Sequence, residues 1–366
     1  MKGGYNDSIP NRNDIKSFDI FNYEKNDMLF LNSGYIQSNF DIIDNKKNSQ
    51  INNCNSNYFF KNEQNTFVDI VYLLKNNPNF ISYIHLIDNL QYEDLSKMFS
   101  FILNNLDIFI SNSQSFLLIN KIISLFNQNN FNDNKENTKN KNENIYSFLF
   151  SFFNKRISSL IQSNNYIYSV INLVAKLGCP KNDFIYVELI SEFKIFAYNR
   201  QGCILIQNLF PLGNDIQKLN LFNKIIEQCN ELIVDKYGHY LFKYLLYKEV
   251  NQEKYYIQIF NKIINDVKRY TNNKYSSVVI ERLLDSSNSI IKDKIIEKIC
   301  RNENDIVELL YHAYGNYVLQ KIIKVTKDNN ILEIIYKTIM KNKTSLYKLS
   351  YGKKIMKEIS SVYTLK

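Results

Sequence analysis

The sequence predicts an all-α fold, an α-solenoid in which about eight helical repeats stack into a curved superhelix. Three observations carry this. A glycine-led motif recurs in one phase: Gln201-Gly202-Cys203, Tyr237-Gly238-His239, Tyr314-Gly315-Asn316 and Tyr351-Gly352-Lys353. Gly202 and Gly238 lie 36 residues apart, Gly315 and Gly352 lie 37 apart, and the 77 between Gly238 and Gly315 is two periods, with Ser276 in the vacant glycine slot. Next, Phe222-Asn223-Lys224-Ile225-Ile226 returns 38 residues later as Phe260-Asn261-Lys262-Ile263-Ile264. Periods of roughly 20–50 residues mark supersecondary units that bury a core only by stacking. Finally, a chain that is 45% hydrophobic but holds only four prolines and nine glycines suits helices better than strands and turns.

Residues 1–60 are polar and asparagine-rich. They read as a partly disordered segment or a degenerate capping unit, with a weak echo of the motif at Gly34-Tyr35. The repeat domain is expected over 61–366. Phe67, Ile70, Val71 and Leu74 follow helical spacing, as do Ile81, Ile84 and Ile87, and Asn79-Phe80 is the best fit to the motif there. Leu95 to Leu106 reads as a helix, and Ser115-Phe116 through Ile123 as a motif with degraded polar positions. The tract 127–144 is a low-complexity insertion, inexpensive as a surface connection. Asn165-Tyr166-Ile167-Tyr168-Ser169 resumes the array.

Beyond Cys179-Pro180 each unit shows a first helix (Leu221 to Leu232, or Tyr256 to Val267), a short polar turn and a motif helix. In the last strong motif helix Val318, Leu319, Ile322 and Ile323 form an apolar stripe that should pack inward. The glycine slot opens this helix, where a missing side chain lets a neighbouring backbone approach.

The polar positions of the motif recur too. Asn316 and Gln320 are i and i+4 and share a face, with Tyr317 beside them. The same slots hold Ser277, Val278 and Glu281; His239, Tyr240 and Lys243; and Cys203, Ile204 and Gln207. Asn165 and Tyr166, with Ser169, are placed in these slots one unit earlier. A ladder of this kind resembles the Pumilio (PUF) family of RNA-binding proteins, which reads one base per helical repeat with two or three side chains. The resemblance covers about 65–360 and is most specific over 200–360. The C-terminal unit around Tyr351-Gly352-Lys353 and a larger inter-helix loop at Arg301 to Asn304 are similar to that family's last repeats.

The resemblance implies that Asn316 and Gln320 read uracil with Tyr317 stacking, that Ser277 and Glu281 read guanine, and that Cys203 and Gln207 read adenine. The guanine assignment also has its own chemistry, since a carboxylate only accepts and guanine offers two adjacent donors. His239 and Lys243 replace the expected amides, so the third base stays open. With RNA running antiparallel to the units, the expected element is 5′-U-G-N-A.

Net charge is +9 with both signs well represented, which permits a polyanionic partner. Five scattered cysteines, never in a C-x-x-C pair, point to a reducing compartment rather than a disulfide framework or zinc site. With three histidines, no H-E-x-x-H, no phosphate-cradling glycine loop and no nucleophile elbow, neither catalysis nor a metal or cofactor is expected. No stretch reads as a signal peptide or a membrane span. What the resemblance implies is then a cytoplasmic monomer that binds single-stranded mRNA in untranslated regions and represses or destabilises messages through recruited partners. The rival readings are a protein-binding α-solenoid scaffold and a divergent nucleolar protein of ribosome assembly.

Overall fold

The computed structural model describes residues 87, 90, 92–111, 115–126, 136–162, 164–247, 253–285 and 288–363. These lie in one compact unit, Thr66–Lys366. The expectations for residues 1–60, for Phe67 to Leu74, for Asn79-Phe80 and for Ile81 and Ile84 fall outside the described residues, as do 127–135.

Among the described residues the architecture is entirely helical, as the periodicity requires. It forms seven successive units of three helices. The first unit is α1 (Tyr92–Asn104), α2 (Leu106–Ser111) and α3 (Ser115–Leu125). The second is α4 (Glu136–Phe153), α5 (Ile157–Leu160) and α6 (Asn164–Leu177); the third is α7 (Asp183–Ser191), α8 (Phe193–Ala197) and α9 (Arg200–Leu212). The fourth holds α10 (Asp215–Glu227), α11 (Cys229–Leu232) and α12 (His239–Leu245). The fifth holds α13 (Glu253–Ile263), α14 (Val267–Thr271) and α15 (Ser276–Leu284). The sixth and seventh are α16 (Ser289–Ile299), α17 (Glu303–Tyr311), α18 (Gly315–Val325), and α19 (Asn329–Lys341), α20 (Lys343–Leu346), α21 (Gly352–Tyr363).

The third helices α3, α6, α9, α12, α15, α18 and α21 pack side by side in that order and make a continuous ladder. Their apolar stripe is the core. Leu205, Leu209, Phe242, Val279, Ile280, Val318, Leu319, Ile322 and Ile323 are all fully buried. Each such side chain contributes about 1.5–3 kcal/mol of transfer free energy, so stacking rather than any one helix stabilises the array.

Three expectations are refined. The helices read as Leu221 to Leu232 and Tyr256 to Val267 are each broken into a first and a short middle helix, at Gln228 and around Ile264–Asp266. No glycine or proline marks the breaks, and the apolar spacing runs through them. The extra length in the sixth unit is not a loop: Cys300 ends α16, Asn302 caps α17, and the additional residues make α17 nine residues long against four to six in the other middle helices. The tract 127–144 is likewise only partly a connection, because residues 136–144 form the start of α4, where Asn142 is buried.

Candidate nucleic-acid interface

Each motif helix begins where the chain turns back from the middle helix, and the glycine slot is the closest point of that turn. A Cβ at Gly202 would sit 2.1 Å from the Phe196 carbonyl oxygen, and one at Gly352 even closer to that of Leu346. At Gly238 it would meet the Leu232 carbonyl at 2.8 Å. In these three the contact falls on the backbone of the residue six positions earlier; at Gly315 the nearest atom is instead Asn272 Oδ1, and Leu309, six residues back, is met only through its side chain. Ser276 fits the same slot by donating its hydroxyl to the Tyr270 carbonyl at 2.7 Å, again six residues back.

A second repeated device lies three residues before the slot. Asn199 Oδ1 accepts from the backbone N–H groups of Gln201 and Gly202, Asp235 Oδ1 from Tyr237 and Gly238, and Asn273 Oδ1 from Tyr275 and Ser276. His312 does the same with Nδ1, at 3.1 Å to both Tyr314 and Gly315, which places its proton on Nε2. These caps satisfy N–H groups that a helix start leaves without partners, and they fix where the next three residues stand.

The first edge position follows the glycine slot, and its side chains bond to the preceding backbone. Asn316 donates Nδ2 to His312 O and Ala313 O, both at 2.9 Å, and its Oδ1 accepts from Gln320 Nε2 at 3.0 Å. Both residues are buried. Gln320 keeps its second N–H and its Oε1. His239 Nδ1 meets the Asp235 carbonyl at 2.9 Å, so that nitrogen carries the proton. Burial, more than any neighbour, pushes the imidazole down to about 4. Near neutral pH His239 is therefore uncharged and Nε2 is an acceptor. Its ring lies against Tyr240 at 4.1 Å and stacks on Tyr275 at 5.2 Å. Cys203 is buried, donates Sγ–H to Ala197 O at 3.0 Å, and burial holds its thiol far above the usual range. Ser277 is buried, with its hydroxyl 3.5 Å from Lys274 O.

The second position is the more open one. Tyr317 is 47% exposed, while Tyr240, Val278 and Ile204 are half-buried. Lys243 Nζ lies 5.5 Å from the Tyr240 ring centroid. Glu281 is half-buried and burial raises its carboxyl to about 7, against which Lys321, Lys354 and Arg282 pull it down. Lys321 is engaged with Asp285. Gln207 is half-buried on the same face of α9.

The second unit needs a correction. Tyr166, expected beside Asn165 at the reading edge, is 2% exposed, and its hydroxyl is 2.6 Å from Ser115 Oγ in the core. Burial lifts that phenol to about 12. Tyr166 stands 36 residues before Gly202 and occupies the glycine slot, as Ser115 does in the first unit. The register is thus two residues later than read, and Ser169 is wholly buried. The edge positions are Ile167, Tyr168 and Ile171, of which only Tyr168, at 45%, is open. The spacing from Tyr168 to Ile204, also 36, is the signal that would have found it. In α21 the same positions are Lys353, Lys354 and Lys357, all exposed.

Among the described residues there is no cluster of His, Cys, Asp or Glu able to hold a metal ion, and no helix long and apolar enough to cross a membrane. Cys179, Cys203, Cys229 and Cys300 are free thiols.

A family model described as a Pumilio-family RNA binding repeat matches residues 195–226, 271–300 and 305–337. The unmatched interval contains His239 and Lys243. Among curated proteins the chain is 30% identical over 167 residues to Pumilio homology domain family member 4 of Saccharomyces cerevisiae, covering 44% of this chain and 18% of that one. It is 25% identical over 221 residues to Pumilio homolog 12 of Arabidopsis thaliana, covering 60% and 36%. The chain thus spans about a fifth to a third of the length of these relatives. Among solved structures, the Puf4 RNA binding domain bound to HO endonuclease RNA 3′ UTR recognition sequence superposes with a TM-score of 0.65 at 19% identity, covering 80% of this chain and 89% of that one. The RNA-binding domain of yeast Puf5p bound to AAT2 RNA gives 0.65 at 21% identity, covering 83% and 88%. At such identities the likeness establishes the fold.

Proposed function

The chain belongs to the Pumilio family, and from that premise we propose that it binds single-stranded RNA along the ladder of motif helices, one base per unit and antiparallel to them. The observation that supports this best is the ladder itself. Four successive units, the third to the sixth, place a backbone-anchored side chain, a stacking side chain and a polar side chain at the same three positions of stacked helices.

The chemistry differs from unit to unit. In the sixth, the free N–H and Oε1 of Gln320 supply the donor and acceptor that a uracil edge needs, with Asn316 holding the amide in place. In the fifth, the Glu281 carboxylate accepts from the two donors of guanine. Its elevated pKa means that guanine binding draws the proton off. In the fourth, His239 Nε2 accepts and Lys243 donates, a pairing that suits a base with a donor beside an acceptor. In the third, Gln207 faces adenine above a neutral Cys203. The second unit has isoleucines at both hydrogen-bonding positions and so contributes stacking on Tyr168 without base choice.

The preferred element is then U-G-N-A followed by weakly specified bases. On this reading the protein acts on mRNA untranslated regions in the cytoplasm, repressing or destabilising messages through recruited proteins rather than by catalysis of its own. The test is a titration at fixed, near-physiological salt of a single-stranded RNA containing UGUA, its G-to-A variant and the same sequence in duplex form, since affinities without stated salt carry no meaning. The reading expects the G-to-A change to weaken binding by about 1–3 kcal/mol, the scale of one well-made base contact, and the duplex to bind weakly. Equal binding of all three, modulated only by salt, would replace sequence reading with nonspecific electrostatics.

A further inference from the structure

The ladder does not end with the sixth unit. In α21 the three edge positions that hold Asn316, Tyr317 and Gln320 one unit earlier hold Lys353, Lys354 and Lys357. All three are exposed, and among the described residues none forms a salt bridge or side-chain hydrogen bond. Two acids, Glu358 of α21 and Asp285 at the end of α15, are engaged with other lysines. Glu358, one turn beyond Lys354 on the same helix, pairs with Lys324 of α18 at 3.0 Å, and Asp285 pairs with Lys321. Lysines on other parts of the surface do find acids: Lys341 meets Glu303 at 2.7 Å and Lys268 meets Asp305 at 2.5 Å. The charge of Lys354 also reaches the ladder, since it is one of the cations that favour the Glu281 carboxylate two units away.

Three ammonium groups with no acceptor among them read a base edge poorly, unlike Lys243 with its His239 partner, but they are good partners for a phosphate oxygen. With one base per unit and antiparallel RNA, the position facing α21 is on the 5′ side of the first base read. We propose that Lys353, Lys354 and Lys357 form a phosphate-binding end to the ladder, taking the phosphate group 5′ of the first recognised nucleotide. The group is either a backbone phosphodiester of a longer RNA or a terminal 5′-phosphate. This rests on the RNA-binding reading and deepens it, assigning to the seventh unit a contact whose chemistry is charge instead of base identity.

The experiment uses the full chain and three RNAs that begin at the first U of UGUA: one with a 5′-hydroxyl, one with a 5′-phosphate, and one extended by two upstream nucleotides. Each is titrated at several salt concentrations, with a G-to-A partner for each. The expected result is that the extended RNA binds about 5- to 10-fold more tightly than the 5′-hydroxyl RNA, with the log–log salt slope steeper by about 0.7 per phosphate gathered. A gain with the 5′-phosphate RNA as well assigns the site to any phosphate, and a gain only with the extended RNA assigns it to the phosphodiester. The Lys353→Gln/Lys354→Gln/Lys357→Gln variant should lose the gain yet keep G-to-A discrimination, and the corresponding triple Arg variant should keep both. Equal binding of the three RNAs by the unsubstituted chain, or a gain that survives the Gln substitutions, overturns the proposal. Loss of G-to-A discrimination in the unsubstituted chain would instead overturn the ladder reading on which it rests.

Discussion

Substituting Gly202 with alanine tests the idea that the repeat is built around close backbone approach. The added Cβ would lie 2.1 Å from the Phe196 carbonyl oxygen, 2.5 Å from its Cα and 2.6 Å from its carbonyl carbon. Contacts of this type relax only near van der Waals distance, so α9 and α8 must separate by about 1 Å. The obstacle is backbone at the end of a buried middle helix, with Phe196 and Ala197 fully enclosed, so no side chain can rotate away. Overpacking of this kind costs about 1–3 kcal/mol, and an immovable backbone places Gly202→Ala near the upper end. Gly213→Ala is the control. There the nearest atoms are 3.2 Å away on the side chains of Gln217 and Tyr186, and φ is −70°, a conformation alanine accepts. Reduced freedom of the unfolded chain returns about 0.4–1 kcal/mol at such a site, so its net effect should be near zero. Urea unfolding followed by far-UV circular dichroism measures both. With a denaturant slope of about 3 kcal/mol/M, Gly202→Ala should lower the midpoint by roughly 1 M and Gly213→Ala should leave it in place. Equal midpoints for the two variants would refute the packing argument.

Acid should destabilise the fourth unit. His239 has a folded-state pKa of about 4 against 6.5 when unfolded, so its contribution is intact above pH 6.5 and is lost as pH falls toward 4. Between pH 7 and pH 5 this amounts to about 2 kcal/mol, which His239→Asn, with the non-titrating side chain of the sixth unit's slot, should remove from the difference in urea midpoints. Asn273→Ala deletes the cap on Tyr275 and Ser276 and should cost about 1 kcal/mol in the same assay, with Asn273→Asp restoring most of it. For RNA affinity, Tyr317→Ala should lose about 1–3 kcal/mol by removing a stacking surface, whereas Tyr166→Phe should leave affinity unchanged because that ring is in the core.

The solenoid was legible because glycine is unforgiving at the slot. Where backbone approaches within carbon–oxygen contact, only glycine or a serine bonded like Ser276 fits, and the residue recurs at the period. The apolar stripe from Val318 to Ile323 was equally plain. The second unit was not, because Tyr166 fills its slot by reaching across to Ser115, and with no glycine to anchor the phase the alignment slipped by two residues. The caps escaped notice for a different reason. Asn199, Asp235, Asn273 and His312 share a position and a bonding pattern but not a residue type, so their equivalence lies in acceptor geometry. The breaks between first and middle helices carry no punctuation in the chain. They follow from packing against the neighbouring unit, which periodicity along one helix does not register.

Glu281 carries the sharpest part of the RNA-binding account, because the proposed guanine contact needs a carboxylate that this site holds partly protonated near neutrality. The decisive measurement is a double-mutant cycle at pH 8, where the carboxylate is ionised: Glu281 and Glu281→Gln chains, each titrated with UGUA-containing RNA and its G-to-A variant at one salt concentration. The account predicts a G-over-A preference of about 5- to 150-fold for the Glu281 chain. In Glu281→Gln it should collapse to near unity, and in the Glu281 chain it should shrink as pH is lowered through 7 toward 6. A preference that survives the substitution unchanged, or no preference in either chain, would contradict base reading at this ladder.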